Sequence, residues 1–221
     1  MRLLAVDTSS ASGSVALVDD AEILGEVRLV APDRHSRVLV PAIELLLRAA
    51  DLEPAQVEGF AVAVGPGSFT GLRVGISTVQ GLGLATGRPC LGASALDILA
   101  ASVTGEAFPV IALRDAFRGE IYWEVFGAEG GTAGGPPRLG RLDEALAEAP
   151  LGSAFVGDAA LAHRAVIEDR IPGARFPRFE PFLAATLGHW AAPRLRAGQG
   201  GGPESLRPLY IRGADIRKAS A

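Results

Sequence analysis

Two stretches of this chain carry side chains at spacings that chemistry can use. The first is Asp7-Thr8-Ser9-Ser10, followed by Gly13 and Ser14. A carboxylate beside hydroxyls, on a hairpin at the end of an apolar run, can hold a metal-bound phosphate. The same residue types also favour an Asx-type turn with no ligand, because their side chains bond their own backbone. The second stretch is Val62-Ala63-Val64-Gly65-Pro66-Gly67-Ser68-Phe69-Thr70-Gly71-Leu72-Arg73-Val74-Gly75. Its glycines permit close approach, and a helix starting at Ser68 would present free N–H groups to an anion. It is not a P-loop, since the Gly-Lys-Ser/Thr ending is missing. It is not a dinucleotide fingerprint either. Gly65 and Gly67 fit, but Thr70 holds the third glycine position, and no acidic residue stands about 20 residues on to take a ribose. A tight turn serving packing alone stays open.

The glycines recur with helical spacing at Gly67, Gly71 and Gly75, and after a gap at Gly83 and Gly87. Each costs a helix interior roughly 0.8–1 kcal/mol relative to alanine. A stripe of them predicts a groove where another backbone comes close. That backbone belongs either to a partner helix or to this protein's own sheet.

Other reactive types are sparse. His35, His163 and His189 lie far apart without metal-ligand spacing. His35 precedes a helical pattern and reads as local structure. There is no Gly-x-Ser-x-Gly elbow. Cys90 is the single cysteine, so no internal disulfide forms and a reducing compartment is expected. Asp115, Arg118 and Glu120 cluster in a strand connection and read as a solvated turn.

These residues must be positioned by elements that 221 residues, 48% of them hydrophobic, can pack into one large domain or two small ones. A net charge of −4 argues against gripping nucleic acid unaided, because phosphate contacts need clustered Lys and Arg. The opening apolar run is too short for a signal peptide, and residues 72–84 lack the length of a membrane span. A soluble, cytoplasmic protein is expected. Residues 3–6, 13–18 and 23–30 read as an antiparallel meander. Leu39, Ile43, Leu46, Leu47 and Ala50 repeat at helical spacing within 36–52, with Pro41 expected in or near the first turn. Residues 59–64 form a continuous apolar run, as in a strand buried on both faces. The glycine-striped helix follows, then a short strand at 89–92 and a helix at 94–101. A boundary is expected near Thr104-Gly105, giving units 1–104 and 105–221. The second unit reads as strands at 110–113 and 120–126, a small-residue loop at 127–137, a helix at 142–148, a strand at 154–156 and helices at 161–168 and 183–196. A flexible linker at 198–203 and a tail that docks as a short segment complete it.

Taken together, these motifs resemble the TsaB (YeaZ) family over nearly the whole chain. The resemblance rests on Leu4-Ala5-Val6-Asp7-Thr8-Ser9, on His35-Ser36 with Leu39 and Pro41, and on the specific run from Val64 to Gly75. Gln80-Gly81-Leu82, Arg114-Asp115-Ala116, Gly119-Glu120-Ile121-Tyr122, Gly157-Asp158 and Pro208-Leu209-Tyr210-Ile211-Arg212 extend it. Phe117 departs from the pattern, where the family usually has a basic residue. The resemblance implies an α/β, actin-like ATPase (ribonuclease H-like) fold with two similar mixed-sheet subdomains. It implies a non-catalytic subunit that binds and activates TsaD, the enzyme that transfers a threonylcarbamoyl group to the adenosine next to the anticodon in ANN-decoding tRNAs. TsaE, an ATPase, joins the assembly, and the chain alone forms a homodimer. The chain has no cofactor of its own, with ATP or ADP at the complex interface, and meets tRNA only through the complex. TsaD binds its metal through two histidines at i, i+4 after the corresponding helix. Here that segment reads Gly92-Ala93-Ser94-Ala95-Leu96-Asp97-Ile98, without histidine.

In the family the first two helices meet the partner. The expected interface is therefore His35, Leu39, Ile43, Gly71, Leu72, Gly75, Ile76, Val79 and Gly83. A vestigial nucleotide site is expected at Asp7, Thr8, Ser9, Gly65, Gly67 and Ser68. The rival reading is an active actin-like kinase or ATPase, or a metallopeptidase-like protein. A kinase needs a second Asp-Gly phosphate hairpin and a glycine-rich adenosine loop. Arg114-Asp115-Ala116-Phe117 lacks the glycine, and Gly157-Asp158-Ala159-Ala160 offers only one.

Overall fold

The computed structural model describes residues 1–30, 34–103, 108–128 and 135–211. The first sheet contains β1 (Arg2–Asp7), β2 (Ser12–Asp19), β3 (Glu22–Val30), β4 (Gly59–Gly65) and β5 (Cys90–Ser94), in the order β3-β2-β1-β4-β5. β1 runs antiparallel to β2, from Arg2↔Asp19 to Asp7↔Ser14, and parallel to β4, from Leu3↔Gly59 to Val6↔Val62. The alternation of apolar residues splits the sheet's two faces. Leu4, Val6, Val15 and Leu17 pack under α1 (His35–Ala49) and α2 (Phe69–Thr86). Leu3, Ala5, Ala16 and Val18 face α3 (Ala95–Ala101) and α7 (Ala184–Arg196). A strand buried on both faces has no room for polar residues, hence the unbroken apolar run of β4.

The second sheet contains β6 (Val110–Asp115), β7 (Ile121–Phe126), β8 (Arg138–Gly140) and β9 (Ala154–Val156), in the order β8-β7-β6-β9. This repeats the order of the first sheet without its fifth strand, as the actin-like fold implies. Ile111, Leu113 and Trp123 pack under α4 (Leu142–Ala147), α5 (Asp158–Ala162) and α6 (Arg164–Arg170). Ala112, Tyr122 and Phe126 face inward, so α3 and α7 form a layer between the sheets.

Several expectations need correction. Pro41 lies inside α1 rather than in its first turn, with its ring exposed. The helix expected at 161–168 is two helices that break at His163 (φ −108°, ψ 15°). Residues 198–203 are not a free linker, since Gly201 exchanges backbone hydrogen bonds of 2.8 and 2.9 Å with Cys90 and covers the edge of β5. β8 falls between the loop expected at 127–137 and the helix expected at 142–148, where the sequence predicts no element; it is too short for its pattern to show. α7 packs on β1 and β2, so this helix joins the first sheet although it falls within 105–221. Thr104-Gly105 and Arg212 lie outside the described residues.

Candidate functional site: the cleft beneath the β1–β2 turn

The β1–β2 turn, the first turns of α1 and α2, and the end of β6 converge. Asp7 is wholly buried at the end of β1. Its Oδ1 accepts from the Ser9 amide at 2.9 Å and from Ser9 Oγ at 2.5 Å. Ser9 Oγ in turn accepts from Arg114 Nη1 at 2.6 Å. Arg114 sits on β6 in the other sheet and is 5% exposed, so one chain of hydrogen bonds ties the two sheets together. Asp7 Oδ2 is buried without a partner. Thr8 Oγ1 donates to the Gly71 carbonyl at 2.8 Å, and the Ser68 amide donates to the Ser9 carbonyl at 2.8 Å. His35 Nε2 lies 2.8 Å from the Ser10 carbonyl, so that nitrogen carries the proton, and the buried Nδ1 has no partner.

The glycine stripe makes this docking close. A Cβ at Gly67 would lie 2.2 Å from the Ser9 carbonyl oxygen. At Gly71 it would lie 2.0 Å from the Thr8 carbonyl oxygen, and at Gly75 2.3 Å from Thr8 Oγ1. At Gly83 it would meet Cys90 Sγ at 2.5 Å. The stripe therefore faces this protein's own turn and sheet, not a partner. Gly87 is not part of it; at φ 66° it ends α2 in the left-handed conformation.

The remaining expected interface residues are turned inward as well. His35, Leu39, Ile43, Leu72, Ile76 and Val79 are at most 5% exposed within the single chain. The 3.6-residue period identifies a face to be buried, but does not say against what. The outer face of the two helices instead carries Val40, Leu45, Ser77, Gly81, Leu84 and Ala85, all exposed. Among the described residues Gly81 has nothing within 4 Å of where a Cβ would stand.

A pocket of about 350 Å³ opens beside the turn. Ser9, Gly67 and Ser68 of the expected nucleotide set line it, while Asp7, Thr8 and Gly65 do not. Gly65 lies beneath the tail, where Leu209 N donates to the Val64 carbonyl at 2.7 Å. Residues not assigned to the nucleotide set from sequence also line it, among them His35, Ser36, Thr70, Arg114, Asp115 and Phe117. In the sequence Arg114 stands out only as part of the Arg114-Asp115-Ala116 motif, with nothing to place it at this pocket. The pocket thus combines a buried guanidinium, hydroxyls and the N-termini of two long helices, which together suit an anion. Asp115 and Phe117 form its rim on the β6–β7 turn, where Phe117 and Arg118 hold positive φ (61° and 59°).

Cys90 is buried and its thiol is pushed up to about 11, chiefly by burial and secondarily by the Glu204 carboxylate, which leaves it a packing residue rather than a nucleophile. Among the described residues no group of three His, Cys, Asp or Glu could hold a metal ion. None of their helices is long and apolar enough to cross a membrane.

This geometry can be set beside known proteins. The family model for TsaD, tRNA N6-adenosine threonylcarbamoyltransferase, matches residues 22–148. The tRNA threonylcarbamoyladenosine biosynthesis protein TsaB of Bacillus subtilis strain 168 is 30% identical over 176 residues, covering 76% of each chain. TsaB of Escherichia coli K12 is 36% identical over 128 residues, which span 57% of this chain and 55% of that protein. A solved Pseudomonas aeruginosa structure described as similar to peptidase YeaZ superposes with a TM-score of 0.79 at 30% identity, over 96% of this chain and 99% of the other. With TsaB of Bacillus subtilis 30% identical over three quarters of both chains and a YeaZ-like structure superposed over nearly the whole chain, this chain belongs to the TsaB (YeaZ) family.

Proposed function

We propose that the chain serves tRNA threonylcarbamoyladenosine biosynthesis as the non-catalytic partner of a TsaD-type transferase. The names of its relatives support the pathway. The observation that carries the non-catalytic role is the state of Asp7. An actin-like phosphotransferase needs this carboxylate at the cleft to hold a metal-bound phosphate. Here it is fully buried, held by Ser9, and roofed by the start of α2, which Gly67 and Gly71 bring onto the turn. The residues do not fit a metal there unless α2 lifts away. The segment after α2 also lacks the paired histidines of the catalytic subunit. The same two facts weigh against the kinase and metallopeptidase readings.

The partner surface in this reading is the outer face of α1 and α2. Gly81 carries the argument. It costs α2 roughly 0.8–1 kcal/mol and no contact among the described residues requires it. With Ser77 and Ala85 it forms a shallow track beside the exposed Leu84, which suits a closely packed helix of TsaD or of a second copy of this chain. The pocket at Arg114 would be closed by the partner and take ATP or ADP there, with the ATPase TsaE joining the assembly. Phosphate contacts to tRNA come from the partner, since this chain's net charge is −4.

The test is reconstitution of threonylcarbamoyl transfer from purified TsaD-type and TsaE-type subunits, a threonylcarbamoyl-adenylate source and tRNA. Transfer should require this chain and should fall with Gly81→Leu. Transfer that proceeds without the chain sinks the proposal. So does ATP turnover by the isolated chain that disappears in Asp7→Ala.

A further inference from the structure

The layer between the sheets contains a pair of carboxyl groups that the cleft does not use. Along β7, Tyr122, Glu124 and Phe126 point into this layer, while Trp123 and Val125 point to the outer core. Glu124 stands opposite Ala112 of β6, is 4% exposed, and its Oε2 is buried without a partner. Across the layer, the first turn of α3 presents the half-buried Asp97.

The charged groups facing the pair, among the described residues, are few. From α7 comes Arg194, which interacts with Asp97. Its guanidinium already lies 3.8 Å from the centre of the Trp190 ring and donates to the Trp190 carbonyl at 2.7 Å. From β6 comes Arg114, two residues beyond Ala112, but it is turned to Ser9. β9 contributes only Ala154 and Val156 to this layer. Among the described residues Glu124 therefore faces a carboxylate and apolar surface, with no cation of its own. An ionised carboxylate there is poorly solvated and repelled, whereas a neutral carboxyl can donate its O–H.

We propose that a proton held on Glu124, buried where β7 meets α3, keeps α3 packed on the second sheet, and that its loss leaves an unpaired charge there and loosens the packing between the two halves of the molecule. Burial first, and the Asp97 charge second, raise Glu124 to about 7, and burial raises Asp97 against the opposing pull of Arg194. The sign follows from proton linkage. Between the ordinary Glu value of 4.5 and about 7, the folded chain keeps a proton that the unfolded chain releases. Folding stability then falls as pH rises through that window, by at most tenfold in the unfolding constant per pH unit, and levels off above it.

The experiment combines carbon-13 NMR titration of glutamate-labelled protein with unfolding curves from pH 4.5 to 8.5. One glutamate resonance should titrate near neutral pH and be missing in Glu124→Gln. The Gln variant should lose the decline attributable to this window. In Asp97→Asn the midpoint should move toward the ordinary glutamate value. Amide exchange in α3 and β7, corrected for intrinsic rates, should rise between pH 6 and 8 in the parent and not in Glu124→Gln. A parent protein with no glutamate titrating near neutral overturns the proposal even if the variants fail to fold. A Gln variant that tracks the parent's pH profile, or an Asn variant with an unmoved midpoint, also overturns it.

Discussion

At Gly75 a side chain would have to occupy space already held by Thr8 Oγ1, 2.3 Å from the Cβ position. The listener to that contact is the turn beneath it, whose Thr8 hydroxyl donates to the Gly71 carbonyl. Gly75→Leu should therefore melt markedly earlier. Overpacking costs typically 1–3 kcal/mol, and the improved helix propensity of Leu recovers only about 1 kcal/mol. Urea unfolding should show a lowered midpoint, and an unchanged midpoint would mean that α2 is free to rise off the turn. The identity of Gly75 as a residue of close approach was readable from spacing alone. Its neighbour was not, because Thr8 is remote in sequence and reaches α2 only through the parallel β1–β4 pairing.

At the scale of elements, α2 has a different neighbour on each side. Its inner side holds Leu72, Ile76 and Val79, its outer side Ser77 and Gly81, and one flank receives the tail. Gly81→Leu should keep or raise the melting temperature by helix propensity while weakening partner binding roughly five- to 150-fold, the equivalent of 1–3 kcal/mol. Co-elution with the TsaD-type subunit, read beside the melting curve, separates the two effects. On the flank, Gln80 Nε2 donates to the carbonyls of Pro203 and Leu206, each at 3.2 Å. Farther along, Tyr210 stacks on Phe69 at 5.2 Å and accepts from Arg73 Nε at 3.0 Å. Each neutral hydrogen bond contributes about 0.5–1.5 kcal/mol, so Gln80→Ala should release the tail by a local opening rather than by global unfolding. Limited proteolysis should cut beyond residue 203 sooner in this variant while the rest survives. Equal cutting rates would show that the Leu209–Val64 hydrogen bond and the contacts of Tyr210 hold the tail without Gln80. Helices and long strands were legible because their apolar period persists over several turns. The pairing of Gly201 with Cys90 was not, since glycines that cover a sheet edge look like a linker in sequence.

The whole molecule carries a net charge of −4, and its buried cation at the cleft, Arg114, is engaged by Ser9. The isolated chain should bind tRNA no better than micromolar at physiological salt, because few phosphates can be neutralised by it. A filter-binding measurement giving sub-micromolar affinity would require a basic surface that this composition does not suggest. Sequence by itself determined the mixed α/β class and the meander followed by a buried parallel strand, and it singled out the glycines of α2 as points of close approach. Those are local matters: period, turn chemistry and glycine cost act within a few residues of one another. Only the tertiary structure decided which way the glycine stripe faces, that Asp7 is sealed while Arg114 reaches the pocket from the second sheet, and that α7 returns to the first. Each of these joins residues far apart in the chain, and burial against a remote element leaves the same apolar pattern as burial against a partner.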